Sequence, residues 1–211
     1  MGWPAVVWRF ARGVHYCELA EVMRDGRLAE EALDFLNTYT RHEGDVLGFL
    51  VWKEKGRARH VVGVVFDRRS TTLRLVDVVA FRMELARRLS PQGIHAPPAM
   101  PVEVDVAPDL AGFAELQDGS ARIKARRASY HASLYELEEA LRSELGSGAE
   151  KLMEGVLRHL KRCLRTHKNP VVLGYIYAIL DAGSLLPAVI ATTVDLARPA
   201  LRVELVATGT P

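Results

Sequence analysis

The alternation of apolar and polar positions runs through the same cycle twice. Residues 5–10 read as a short strand, and residues 16–24 and 28–41 carry apolar positions at helical spacing. Runs rich in Val, Leu and Phe then predict strands over 46–53, 60–66 and 72–79, with Asp67, Arg68, Arg69, Ser70 and Thr71 as a hairpin loop. From residue 121 the cycle restarts. A strand over 121–125 precedes helices over 134–144 and 149–166, and strands follow over 171–179, 188–194 and 201–207. Between the cycles, residues 80–89 continue as a helix. Residues 90–108 hold five of the ten prolines and read as an extended connector, with an edge strand over 102–106.

Residue identities support a repeat. CELAEVMR at 17–24 is similar to YELEEALR at 135–142, and HEGDVLGFL at 42–50 to HKNPVVLGYI at 167–176. Gly56 falls opposite Gly183, Asp67 opposite Asp195, and Leu73-Arg74-Leu75 opposite Leu201-Arg202-Val203, the offset rising from 118 to 128. The expected fold class is therefore α+β, an internally duplicated unit (strand, helices, three antiparallel strands) arranged as a pseudo-dimer. It divides into a first unit over 1–89, a Pro-rich connector over 90–120 and a second unit over 121–211. A pseudo-twofold of this kind resembles an isologous homodimer fused into one chain.

Composition narrows the class without naming a function. The 211 residues are 49% hydrophobic and 26% charged, which suits a globular chain with a substantial core. Two cysteines, Cys17 and Cys163, without CxxC spacing make a disulfide framework or zinc ribbon unexpected. Residues 171–194 are the most apolar stretch. Asp181, Gly183, Ser184 and Pro187 interrupt it, leaving halves of roughly ten residues where a bilayer needs about 20. The N-terminal residues lack the layout of a signal peptide, so a cytoplasmic location without membrane contact is expected. Arg outnumbers Lys 22 to 6, and only two Asn and two Gln are present, a composition compatible with a thermophile.

Net charge is only +2, but its distribution is uneven. Over 149–166, a turn of 100° per residue gathers Met153, Val156, Leu157, Leu160 and Leu164 on one arc, expected to face the core. Lys161, Arg162, Arg165 and Lys168 gather opposite, with Arg158 beside them, and no acidic residue lies between Gly155 and Lys168. The corresponding first-half helix is net acidic through Glu30, Glu31 and Asp34. A basic stripe of this kind suits nucleic-acid phosphates, DNA or RNA, or an acidic protein partner. It also suits a solvated face. Arg126 and Arg127 are candidate flankers. The stripe has no interleaved aromatics for base stacking, which favours backbone contact over base readout.

Other constellations are weaker. His159, Cys163 and His167 recur every fourth residue, a spacing that can ligate zinc. They drift by 80° around the helix, however, so a buried cysteine with boundary histidines is expected, without metal or cofactor. Glu18, Glu21, Glu136 and Glu139 recur in first helical turns, where carboxylates complement the helix dipole. Ser90, Ser129, Ser133 and Ser147 have no His or Asp partner at a recognisable spacing, and no Walker A, GxGxxG, GxSxG or HExxH motif occurs. Two short resemblances add alternatives. Arg162 and His167 are similar to the Arg-x4-His motif of HEPN-type ribonucleases, which implies RNA cleavage through 2′-hydroxyl attack. The helix-to-strand junction at Asp45-Val46-Leu47-Gly48-Phe49-Leu50 resembles the start of the JAB/MPN fold. That family's His-x-His metal signature is missing, so the resemblance implies an inactive scaffold or assembly subunit. The expected function is a non-enzymatic binding module acting through Arg158, Lys161, Arg162, Arg165 and Lys168, with a homo-oligomer among the expected partners.

Overall fold

The computed structural model describes residues 8–9, 14–17, 30, 33, 35, 37, 44–54, 57–78, 103–117, 119–165, 171–181, 183–195 and 200–209. The strands are β1 (Trp8–Arg9), β2 (Val14–Cys17), β3 (Gly44–Glu54), β4 (Arg57–Asp67), β5 (Thr72–Asp77), β6 (Glu103–Val106), β7 (Ala114–Gln117), β8 (Ser120–Ile123), β9 (Ala125–His131), β10 (Val171–Asp181), β11 (Leu185–Asp195) and β12 (Ala200–Thr208). Helices α1 (Leu134–Leu145) and α2 (Ala149–Arg165) lie between β9 and β10. The fold is mixed α+β and strand-rich. No helix among the described residues is long and apolar enough to cross a membrane.

The described strands form two sheets, ordered β1-β2-β3-β4-β5-β8-β7 and β6-β12-β11-β10-β9. One core lies between them. Leu47, Leu50, Val62, Val64, Phe66, Leu73 and Leu75 from the first sheet meet Ile176, Leu180, Ile190, Val194, Leu201 and Val203 from the second. β10 is apolar on both faces, as expected of a strand buried on both sides. Ile176, Ala178 and Leu180 enter the shared core, whereas Tyr175, Tyr177 and Ile179 pack beneath Leu137, Leu141, Leu152 and Val156 of the helices. On the other side of the first sheet, a helical residue, Phe35, is seated on Phe49 and Gly63. A Cβ at Gly63 would lie 2.5 Å from the Phe35 ring.

The two sheets share a connectivity. β2-β3-β4-β5 and β9-β10-β11-β12 are both antiparallel in chain order, and in each the first strand is separated from the next three by helical residues. Both contain a bulge at the same place, where Leu47 and Leu173 are the extra residues. Pairs Asp67–Thr72, Phe66–Leu73 and Val65–Arg74 recur 128 residues later as Asp195–Ala200, Val194–Leu201 and Thr193–Arg202. Phe49 pairs with Cys17 and Leu50 with Tyr16, as Tyr175 pairs with His131 and Ile176 with Tyr130.

Several sequence expectations change. Tyr16 and Cys17, expected to open a helix, belong to β2, which supplies the first strand's pairing to β3. Residues 121–123 pair with β5 in the first sheet, and the strand facing β10 is β9. The chain crosses from one sheet to the other at Lys124, whose N–H donates to the Phe113 carbonyl and whose carbonyl accepts from the Asp181 N–H. The expected edge strand at 102–106 is β6, parallel to β12. The expected loop at Asp67–Thr71 is a turn in which Asp67 Oδ1 accepts from the N–H groups of Arg69 and Ser70. Residues 79–102, with the helix expected over 80–89, lie outside the described residues, as do Glu18 and Glu21.

Candidate binding face on α2 and the ion cluster beneath it

α1 begins at Ser133, whose Oγ accepts from the Glu136 N–H at 3.2 Å, an N-cap that satisfies one orphan donor. It ends at Gly146, with φ 54°, a left-handed value that glycine adopts without strain. A short 3-10 turn leads into α2. At Gly155, α2 comes so close to β12 that a Cβ would lie 2.6 Å from the Cβ of Ala207 and 2.9 Å from the Val206 carbonyl oxygen. This contact fixes the rotation of the helix. The buried arc is Ala149, Leu152, Gly155, Val156, His159 and Cys163.

The arc expected from hydropathy is therefore displaced. Val156 is buried, Met153 and Leu160 are partly buried, but Leu157 is 45% and Leu164 75% exposed. His159, expected at the boundary, is buried, while Cys163 is buried as expected. The hydrophobic face of the sequence is wider than the face the sheet covers, and the surplus leucines project outward.

Arg158, Lys161, Arg162 and Arg165 are all exposed on α2. Arg158, Lys161 and Arg165 have no carboxylate partner among the described residues. Arg162 instead bends over the helix edge to the Glu204 carboxylate on β12. Lys168 and His167 lie outside the described residues. Arg126 and Arg127 are exposed on β9, and Arg127 is ion-paired with Glu144 of α1. α2 packs on β12 and β11, whereas α1 packs on β10 and β9, so α1 stands between the two arginines and the α2 stripe.

Beneath α2 lies a polar cluster that the sequence did not reveal. Nε2 of His159 is 3.0 Å from Glu204 Oε1 and 3.5 Å from Cys163 Sγ, and Nδ1 is 3.3 Å from the Tyr175 hydroxyl. Arg202 Nε donates to Glu204 Oε2 at 3.1 Å, and its Nη1 lies 3.8 Å from Asp105 of β6. Burial opposes charge on the imidazole, but hydrogen bonds to Cys163 and Glu204 and the Glu204 charge outweigh it, pushing His159 up to about 9. The His159 hydrogen bond, against burial and aided by the charges of Arg162 and His159, brings Glu204 down to about 2. The pair is ionised across neutral pH. Burial raises Tyr175 well above its ordinary range, so it remains a neutral hydroxyl.

The matching place on the first sheet holds an apolar contact. Phe35 meets Phe49 edge-on at 6.0 Å, and His159 meets Tyr175 edge-on at 5.9 Å. Phe49 and Tyr175 hold corresponding positions in their strands, and Glu204 corresponds to Val76. The cluster can anchor α2 and hold Arg162. As a nucleophile site it is poorly arranged: thiol and carboxylate converge on the same imidazole nitrogen, whereas a relay needs the base and its orienting acid on opposite nitrogens. Among the described residues, no group of three or more His, Cys, Asp or Glu is placed to hold a metal ion.

A second polar pair also escaped the sequence. Ser129 Oγ and His131 Nε2, two residues apart on one face of β9, lie 2.8 Å apart. Burial lowers the His131 pKa, against the charges of Glu136 and Glu144, which favours the neutral ring. The only sequence signal was the i, i+2 spacing, visible once β9 is known to be a strand. No family model, curated protein or solved structure matches this chain.

Proposed function

We propose that the chain is an internally duplicated, non-enzymatic binding module of the cytoplasm, whose recognition element is the outward face of α2 and whose partner is an acidic protein surface. The observation that carries this reading is the interleaving of exposed Leu157 and Leu164 with exposed Arg158, Lys161 and Arg165. Leucines gain nothing from a phosphate backbone, whereas at a protein interface they supply burial while the cations supply orientation. The shared strand order and repeated bulge support the duplication, with the two halves related as a pseudo-dimer. Among the described residues, the ion cluster that locks α2 to β12 belongs to the second half.

Nucleic-acid backbone is the second reading. Arg158 to Arg165 span about 10 Å along the helix, a charge density comparable to one strand's phosphates at roughly 3.4 Å each. Arg162 counts for less in either reading, because it is committed to Glu204. The same commitment counts against a ribonuclease built on Arg162 and His167.

The test is fluorescence anisotropy with labelled DNA and RNA oligonucleotides and a labelled helical Glu/Leu peptide, titrated over salt. The wild type is compared with R158E/K161E/R165E and with L157S/L164S. The reading expects peptide binding that both variants weaken. Tighter oligonucleotide binding, with a log–log salt slope near about −2 to −3 and no effect of L157S/L164S, would transfer the face to nucleic acid. No binding of any probe would make it a solvated surface.

A further inference from the structure

The outward face of α2 has an internal order beyond its basic half. Glu150, Glu154, Leu157, Lys161 and Leu164 follow one another at spacings of four, three, four and three, and all five are exposed. This is the spacing of a helix seam that packs against another helix. Along the seam the charge changes sign at its centre: Glu150 and Glu154 precede Leu157, and Lys161 and Arg165 follow it. The seam spans about 22 Å, roughly four turns.

Such a seam is complementary to itself in one orientation. A twofold axis passing between Leu157 and Arg158 runs two copies antiparallel. It sets Glu154 against Lys161 of the second copy, Glu150 against Arg165 of the second copy, and the two Leu157 side chains together near the axis. Parallel pairing would set Glu against Glu and Lys against Lys, which is repulsive. A twofold contact is also the commonest route to a closed assembly.

We infer that the acidic partner of the basic half of α2 is the acidic half of α2 on a second copy of this chain, giving an antiparallel, twofold α2–α2 dimer. The inference rests on the reading of α2 as a protein-docking face and names its occupant. Gly155 and the Arg162–Glu204 pair hold the helix from beneath and leave the seam facing outward. With two exposed leucines per copy and charged flanks, the contact belongs to the small, salt-sensitive class of interfaces.

Sedimentation velocity from low to high micromolar protein, at low and high salt, tests the inference. The wild type should shift from monomer to dimer with concentration, and less so at high salt. Glu154→Lys alone places Lys against Lys161, and Lys161→Glu alone places Glu against Glu154, so each should associate at least about tenfold more weakly. An equimolar mixture of these two variants restores both pairings and should form a heterodimer. The double variant E154K/K161E should self-associate again. Unchanged circular dichroism and melting of the single variants would show that they are folded.

A wild type that stays monomeric throughout, or a dimer indifferent to the swaps, would overturn the inference. If the chain is monomeric yet binds the Glu/Leu peptide through Lys161 and Leu157, only the identity of the partner fails. If it neither self-associates nor binds the peptide, the docking face itself fails.

Discussion

Cys163 and Glu204 together hold His159 protonated, and replacing Glu204 with Gln keeps the shape of the side chain while removing the carboxylate's share. In the folded protein His159 lies near 9, against about 6.5 in an unfolded chain. A raised pKa stabilises the fold fully below pH 6.5, and that stability drains away as pH rises through 9. The whole shift is worth about 3 kcal/mol at pH 6 and falls towards zero by pH 9, and Glu204 supplies the part that Cys163 does not. Arg162 and Arg202 add little, because their side chains are 65% and 41% exposed and solvent screens their half of each pair. Urea unfolding of the wild type and Glu204→Gln, followed by circular dichroism from pH 6 to 9, reads the difference directly. The gap should be widest near pH 6 and nearly closed at pH 9, with unchanged m-values. A gap that is flat with pH, or below about 1 kcal/mol at pH 6, would refute the claim that Glu204 holds a charged imidazole beneath α2.

The close contact of α2 with β12 predicts that Gly155→Ala lowers stability by about 1–3 kcal/mol in thermal melts, since the obstructing atoms include backbone. Gly112→Ala, with nothing within 4 Å, is the neutral control. If the halves are duplicates, the apolar solution of the first can be transplanted into the second. His159→Phe alone leaves Glu204 without its buried partner and should cost about 3 kcal/mol, whereas H159F/E204V, which copies Phe35 and Val76, should return to within about 1 kcal/mol of the wild type in urea. A double variant no better than the single would count against the equivalence of the two seams.

The second half of the fold was largely legible because its local and global signals agree. The helix expected over 134–144 has a Ser cap and buried Leu137 and Leu141, and the strand expected over 171–179 is apolar on both faces. β9 was not legible. Ala125–His131 is a polar edge strand without alternation, and only pairing with β10 defines it. Helix rotation was also hidden, since leucines outweigh a glycine and a histidine in any hydropathy pattern. Here the Gly155 contact and the His159–Glu204 pair place the axis and leave Leu157 and Leu164 outside. Glu204 sits in a strand where Arg202 and Glu204 read as an ordinary solvent-facing row. Its burial depends on a helix 42 residues earlier carrying Arg162 to the same carboxylate. The basic residues were visible as a list, but not as a surface on which Arg162 is committed to Glu204 while Arg158, Lys161 and Arg165 have no carboxylate partner among the described residues.

The outward face of α2 is proposed to dock protein through leucines and cations together. Anisotropy of the labelled Glu/Leu peptide against L157S/L164S, beside the same variant against a labelled oligonucleotide, tests it most directly. Removing the leucines should weaken the peptide by at least about tenfold, consistent with two buried anchors, and leave any oligonucleotide binding unchanged. Peptide binding that survives loss of both leucines would reduce the face to a charge patch and contradict the account.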